Sequence, residues 1–221
     1  MTSVLLSLSA LLAASASTAP MAGAAPQADR PAAVPSGWEA VDGAELARIT
    51  GETDALRAPS ATADGLSATA EEPDLLAMQS VRNGQFVATE LNYTAPNTGV
   101  LRARSAEYGG AWEGFAFEWD ALTETYALRS LANNRYVAVE KNFTGSAQNV
   151  LRARSTSVSG WERFTVFHNE ELGHWALQST LNGLFVTMEN SYTGSLQYAL
   201  RARSTAITGA WEEFVLYDIS A

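Results

Sequence analysis

Leu101-Arg102-Ala103-Arg104-Ser105 recurs at Leu151 to Ser155 and again at Leu200 to Ser204, at spacings of 50 and 49 residues. Self-similarity at a fixed period of this size marks a chain built from repeated supersecondary units, and it decides the fold ahead of any local propensity. Trp112-Glu113, Trp161-Glu162 and Trp211-Glu212 follow the three copies, each with a phenylalanine three positions after the tryptophan: Phe115, Phe164 and Phe214. Phe86-Val87, Tyr136-Val137 and Phe185-Val186 precede them, and Glu90, Glu140 and Glu189 lie four positions after those aromatics. Ser80, Ser130 and Ser179 mark the first strand of each copy.

Each copy reads as four short strands. In the second, Ala127-Leu128-Arg129-Ser130 alternates, Asn133-Asn134 turns the chain, and Tyr136 to Glu140 runs back. Val150 to Arg154 makes a third strand and Phe164 to Phe167 a fourth. Asn83-Gly84 and Asn182-Gly183 occupy the turn position in the other copies, the chemistry expected of a tight hairpin. Repeats at about 75–122, 123–172 and 173–221 place twelve strands within residues 73–221. That count and period describe an all-β β-trefoil: a six-stranded barrel closed by three hairpins, with threefold pseudosymmetry and no open edges. A domain of this size buries roughly 70% of its unfolded surface and needs no disulfides.

The N-terminal third differs. Val4 to Leu12 is an apolar run followed by small residues, and Ala22-Gly23-Ala24 supplies an A-x-A cleavage pattern. Residues 1–24 therefore read as a secretory signal peptide, with an apolar core too short for a stable membrane span. No Lys or Arg precedes that core; the alternative is an Ala-rich tail on a cytosolic protein. Residues 25–72 read as an acidic Pro/Ala-rich linker or pro-segment, since nine acids face three arginines between Pro26 and Glu72. Such a composition buries too little apolar surface to offset ordering entropy and favours an extended, flexible spacer. Gly43 to Ile49 could form one or two helical turns, but nothing amphipathic continues them.

Among 221 residues, 24 acidic and 14 basic side chains leave a net charge of −10, with 47% hydrophobic residues. The apolar fraction suits a globular protein. The acidic balance excludes a nucleic-acid partner, because no basic stripe stands ready to displace phosphate counterions. The absence of cysteine excludes thiol catalysis and zinc ribbons. His168 and His174 flank the joint between the second and third repeats and read as surface residues, so neither a metal site nor a cofactor is expected.

The Trp-Glu-x-Phe element, with aromatic-Val before it and Leu-Arg-Ala-Arg between, resembles the fascin-like β-trefoils found in secreted bacterial proteins. The resemblance covers Leu75 to Ala221. It implies either actin binding, as in eukaryotic fascins, or a module that accompanies polysaccharide-acting domains, as in bacterial relatives with signal peptides. The ricin-type lectin trefoil is a cousin, but its Gln-x-Trp signature is missing here.

The loop after each second strand carries the first candidate site. Glu90, Asn92 and Tyr93 recur as Glu140, Asn142 and Phe143, and as Glu189, Ser191 and Tyr192. An aromatic face covers the C–H face of a pyranose while amide, hydroxyl and carboxylate groups bond its hydroxyls. The other reading has the ring covering the hairpin cap and the polar residues serving the turn. The arginines of the repeated strand form a second set: Arg102, Arg104, Arg152, Arg154, Arg201 and Arg203. Strand alternation turns Leu101 and Ala103 inward and Arg102 and Arg104 outward. Outward arginines either fork the anionic groups of a glycan or pair with Glu90 and stack over a ring across the hairpin.

The fixed spacing from tryptophan to phenylalanine reads as core and cap packing for Trp112, Trp161 and Trp211. Glu113, Glu162 and Glu212 are repeated in equivalent settings, whereas acid/base catalysis needs two carboxyls in different ones. No catalytic residue is expected. The resulting expectation is a secreted, monomeric, non-catalytic module that recognises extracellular carbohydrate through up to three related shallow sites. The competing class is a protein-interaction module, either a protease inhibitor or a fascin-like actin binder.

Overall fold

The computed structural model describes residues 34–53 and 72–220; the expected signal peptide, residues 1–24, lies outside them. A short strand β1 (Glu39–Ala40) and helix α1 (Gly43–Thr53) precede three four-stranded repeats. The first repeat is β2 (Asp74–Ser80), β3 (Phe86–Glu90), β4 (Val100–Ser105) and β5 (Gly114–Asp120). The second is β6 (Thr125–Ser130), β7 (Arg135–Val139), β8 (Leu151–Ser155) and β9 (Arg163–Asn169). The third is β10 (His174–Ser179), β11 (Phe185–Met188), β12 (Leu200–Ser204) and β13 (Phe214–Asp218).

The first and fourth strands of the repeats close on themselves in the order β2-β5-β6-β9-β10-β13-β2, which is the six-stranded barrel of a β-trefoil. The second and third strands form the hairpins β3–β4, β7–β8 and β11–β12, each with a register shift after its first aromatic residue. Threefold sequence identity becomes threefold burial. Leu101, Leu151 and Leu200, Val87, Val137 and Val186, and Phe115, Phe164 and Phe214 are all fully buried. The turn asparagines pin each hairpin: Asn83, Asn133 and Asn182 donate through Nδ2 to the carbonyls of Ala103, Ala153 and Ala202 at 2.9–3.0 Å. Their Oδ1 atoms accept the main-chain N–H two residues on. Gly84, Asn134 and Gly183 follow at positive φ, the conformation such turns require.

Part of the stretch read as a flexible spacer is folded onto the barrel. β1 pairs with β9, placing Glu39 opposite His168. The Asp42 carboxylate caps α1 by accepting the Glu45 N–H at 2.9 Å. Val41 and Leu46 join the main core with Ile49 packed against it, while Trp38 packs with Phe167, Ala176, Phe185 and Ile207. Average composition hid these four apolar side chains. They offset the ordering cost because Leu46, Ile49 and Thr50 share one helical face.

His168 lies beneath this segment, packed against Trp175 with ring centroids 4.4 Å apart and planes tilted by 40°. Burial pushes its imidazole below the usual histidine range, opposed by Glu170 and Glu45 and assisted by Arg48. The unfolded chain therefore takes up the proton first, and stability rises with pH across that interval. Melting temperature should fall as pH drops through about 6.5, the unperturbed histidine value. A pH series on His168→Gln should lack that component.

Candidate functional site

Every candidate from the repeated loops and strands is present three times in one arrangement. Arg102 and Arg104 lie two apart on one strand face and converge on Glu90. Arg152 and Arg154 meet Glu140 at 2.9 and 2.5 Å, and Arg201 and Arg203 meet Glu189 at 3.3 and 3.2 Å. The three carboxylates are buried. Each inner arginine also caps a loop ring, with guanidinium carbons 5.5 Å from the centroids of Tyr93, Phe143 and Tyr192. Arg102 and Arg201 donate to the Tyr93 and Tyr192 hydroxyls. Phe143 has no hydroxyl, and Arg152 instead makes two bonds to the Thr98 carbonyl at 3.0 and 2.9 Å.

The inner arginines also join the repeats. Arg102 Nε donates to the Gln197 carbonyl at 2.5 Å, Arg152 Nε to Thr98, and Arg201 Nε to Gln148 at 2.7 Å. Each hairpin is thereby tied to a loop of another repeat in a closed ring. Main-chain bonds run in parallel, from Ala103, Ala153 and Ala202 to the carbonyls of Tyr198, Gly99 and Asn149. Val100, Val150 and Ala199 fill the centre with no exposure. At Gly99 the approach is so close that a Cβ would sit 2.6 Å from the Ala153 carbonyl oxygen.

This geometry corrects the outward placement of Arg102 and its equivalents. Alternation puts them on the face away from the barrel core, but neighbouring repeats cover that face. Arg102 and Arg201 are buried and Arg152 nearly so. Burial lowers the Arg102 pKa, an effect that Glu90 opposes. Arg104, Arg154 and Arg203 keep 36–50% of their side chains exposed. Asn92, Asn142 and Ser191 are exposed, while Tyr93, Phe143 and Tyr192 are half-buried.

The tryptophans differ from expectation as well. Trp112 and Trp211 are each 36% exposed, and Trp161 is half-buried. Their spacing is fixed by the main chain instead: the Trp112, Trp161 and Trp211 carbonyls accept from Thr89, Val139 and Met188 at 2.9–3.0 Å. The adjacent glutamates are the buried members of the pair. Glu113 accepts from Ser105 and Gly109, Glu162 from Ser159, and Glu212 from Thr208 and Thr187. Each glutamate folds the loop before the fourth strand and leaves its tryptophan at the surface.

In the third repeat the result is a shallow depression of about 450 Å³, lined by Glu189, Ser191, Arg203, Thr205, Thr208 and Trp211 among others. Its rim carries a ring that reading the sequence assigned to packing. Arg82, from the β2–β3 turn, lies over Trp211 at 4.7 Å from the ring centroid. Comparing repeats could have found Arg82, since Ala132 and Leu181 hold its equivalent positions. His174 is half-buried beside Glu213, with Nδ1 to Oε2 at 3.0 Å, so neither histidine is a plain surface residue.

No family model matches the chain, and no curated protein matches it. Among solved structures it is similar to the designed threefold-symmetric protein ThreeFoil, at 17% identity and TM-score 0.52, covering 66% of this chain and 99% of that one. It is also similar to the ricin B-like lectin of Macrolepiota procera in complex with lactose, at 12% identity and TM-score 0.50, covering 68% and 99%. A third is the Polyporus squamosus lectin bound to a human-type influenza-binding epitope, at 13% identity and TM-score 0.50, covering 68% and 51%. The chain spans about half the length of that lectin. At these identities the likeness establishes the β-trefoil fold alone.

Proposed function

We propose that the chain is an exported, non-catalytic β-trefoil module that binds carbohydrate at shallow sites repeated around the barrel. The observation that carries this reading is the exposed tryptophan beside a half-exposed arginine and hydroxyl side chains in the third-repeat depression. An aromatic face with a few polar groups at its edge suits a pyranose. Trp112 and Trp161 recur at equivalent positions, and a polymer engaging several such sites gains avidity. Among the original candidates, Asn92, Asn142, Ser191, Arg104, Arg154 and Arg203 supply polar contacts. Glu90, Glu140 and Glu189 orient those arginines, and Tyr93, Phe143 and Tyr192 support the loops from within. The apolar run of residues 4–12 and Ala22-Gly23-Ala24 support export, and the Trp-Glu-x-Phe element supports a fascin-like subclass.

Retention on a panel of polysaccharides tests the reading. A single Trp→Ala change at 112, 161 or 211 should weaken retention by about twofold to tenfold, the range of one aromatic contact. The triple change should abolish retention while keeping the thermal transition. The triple change at Tyr93, Phe143 and Tyr192 should instead lower that transition. Retention that survives in the folded triple-tryptophan variant would overturn the proposed site. Failure of the wild-type chain to bind any glycan would favour a protein partner.

A further inference from the structure

The surfaces around the three repeated tryptophans differ in charge, although the repeats that build them are alike. Arginines 102, 104, 129, 152, 154, 163, 201 and 203 all pair with carboxylates. Arg82 is exposed and has no carboxylate within 4.0 Å among the described residues. Exposed Arg135 and Lys141 share this lack of a carboxylate among the described residues, but of the three it is Arg82 that lies on the face of a tryptophan, the exposed Trp211. Arg203, half-exposed and anchored by buried Glu189, lines the same depression as Trp211. Thr205, Thr208 and Ser191 add hydroxyls to its lining. The equivalent of Arg82 is Ala132 or Leu181 in the other repeats, and the first repeat places exposed Glu107 where the third has Ala206.

We propose that the third-repeat depression and its rim form an acidic-sugar site. Arg203 in the depression and Arg82, held against Trp211 at the rim, take the carboxylate or sulfate, and the sugar ring packs against the part of Trp211 that Arg82 leaves open. The assignment rests on the glycan-binding reading above and adds a ligand class and a location to it. Arginine suits this task because its planar fork matches the oxygens of both groups and also stacks on an indole. Glu189 holds Arg203 in place by engaging one Nη1, so little side-chain entropy remains to be lost on binding. The equivalent surface of the first repeat carries exposed Glu107, whose charge would repel the same group.

Affinity electrophoresis of the full chain distinguishes the outcomes. The carboxylated probes are polygalacturonate and alginate, the sulfated probes dextran sulfate and chondroitin sulfate, and the neutral probes galactomannan, xylan and methyl-esterified polygalacturonate. At least one acidic class should retard the chain more than every neutral probe, and the class that does so identifies carboxylate or sulfate as the ligand. Retardation should weaken with salt as exposed charges are screened. Arg82→Gln should reduce it roughly tenfold, the loss of one charge-assisted contact, with an unchanged melting temperature because Arg82 is at the surface. Ala132→Arg should not substitute for it while Glu107 remains. Equal or better retention by neutral probes, or no effect of Arg82→Gln, would overturn the acidic-sugar site and leave the glycan reading standing. Retention by no probe would overturn both.

Discussion

Glu140→Ala should destabilise the domain by about 3–5 kcal/mol, the range for breaking a buried ion pair by removing one partner. Glu140 is only 4% exposed and receives both Arg152 and Arg154. Without it Arg152 keeps two bonds to the Thr98 carbonyl and its position over Phe143, but its charge stays buried with no counter-ion. Arg152→Ala should fall in a similar range, since it strips Glu140 of its more buried partner and cuts a tie between repeats. Both losses should rival Leu151→Ala, expected at about 2–5 kcal/mol for a buried leucine. Arg154→Ala should cost far less, because that side chain is over a third exposed and screened. Urea denaturation of the four variants checks the order. A loss under about 1 kcal/mol for Arg152→Ala would mean that water reaches the clasp in solution.

This order differs from the one strand alternation implies, and the difference shows what a sequence conveys. Alternation correctly put Leu101, Ala103 and their equivalents in the core, because the barrel interior is set by the same chain segment. Whether the opposite face meets water depends on another repeat, and nothing near Arg102 announces that Gln197 will lie over it. The repeat itself carried the fold: three copies of Leu-Arg-Ala-Arg and Trp-Glu-x-Phe leave few architectures besides a trefoil. The candidate site was less legible. Trp211 has the fixed spacing of a core residue, yet the constraint acts on its carbonyl and on Glu212, which a residue pattern cannot separate from side-chain packing. Arg82 is visible only as a departure from threefold identity. The docking of Trp38, Val41 and Leu46 was masked by prolines and acids elsewhere in the same stretch.

Leu46→Ala should cost about 2–5 kcal/mol, because its side chain is completely buried between α1 and the barrel. The loss has a ceiling that most core positions lack. The barrel strands close on one another without residues 34–53; if the segment undocks as a unit, no substitution in α1 costs more than its docking free energy. A chain beginning at Glu72 measures that ceiling directly. It should melt at or below the temperature of Leu46→Ala, since it also exposes the faces of Phe167 and Phe185 that Trp38 covers. Trypsin gives a local readout at Arg48, which sits on α1. Cleavage there should be slow in the wild-type chain and faster in Leu46→Ala, following the population of the undocked state. If the shortened chain kept the wild-type transition, the segment would lie outside the cooperative unit and Leu46→Ala would act on docking alone.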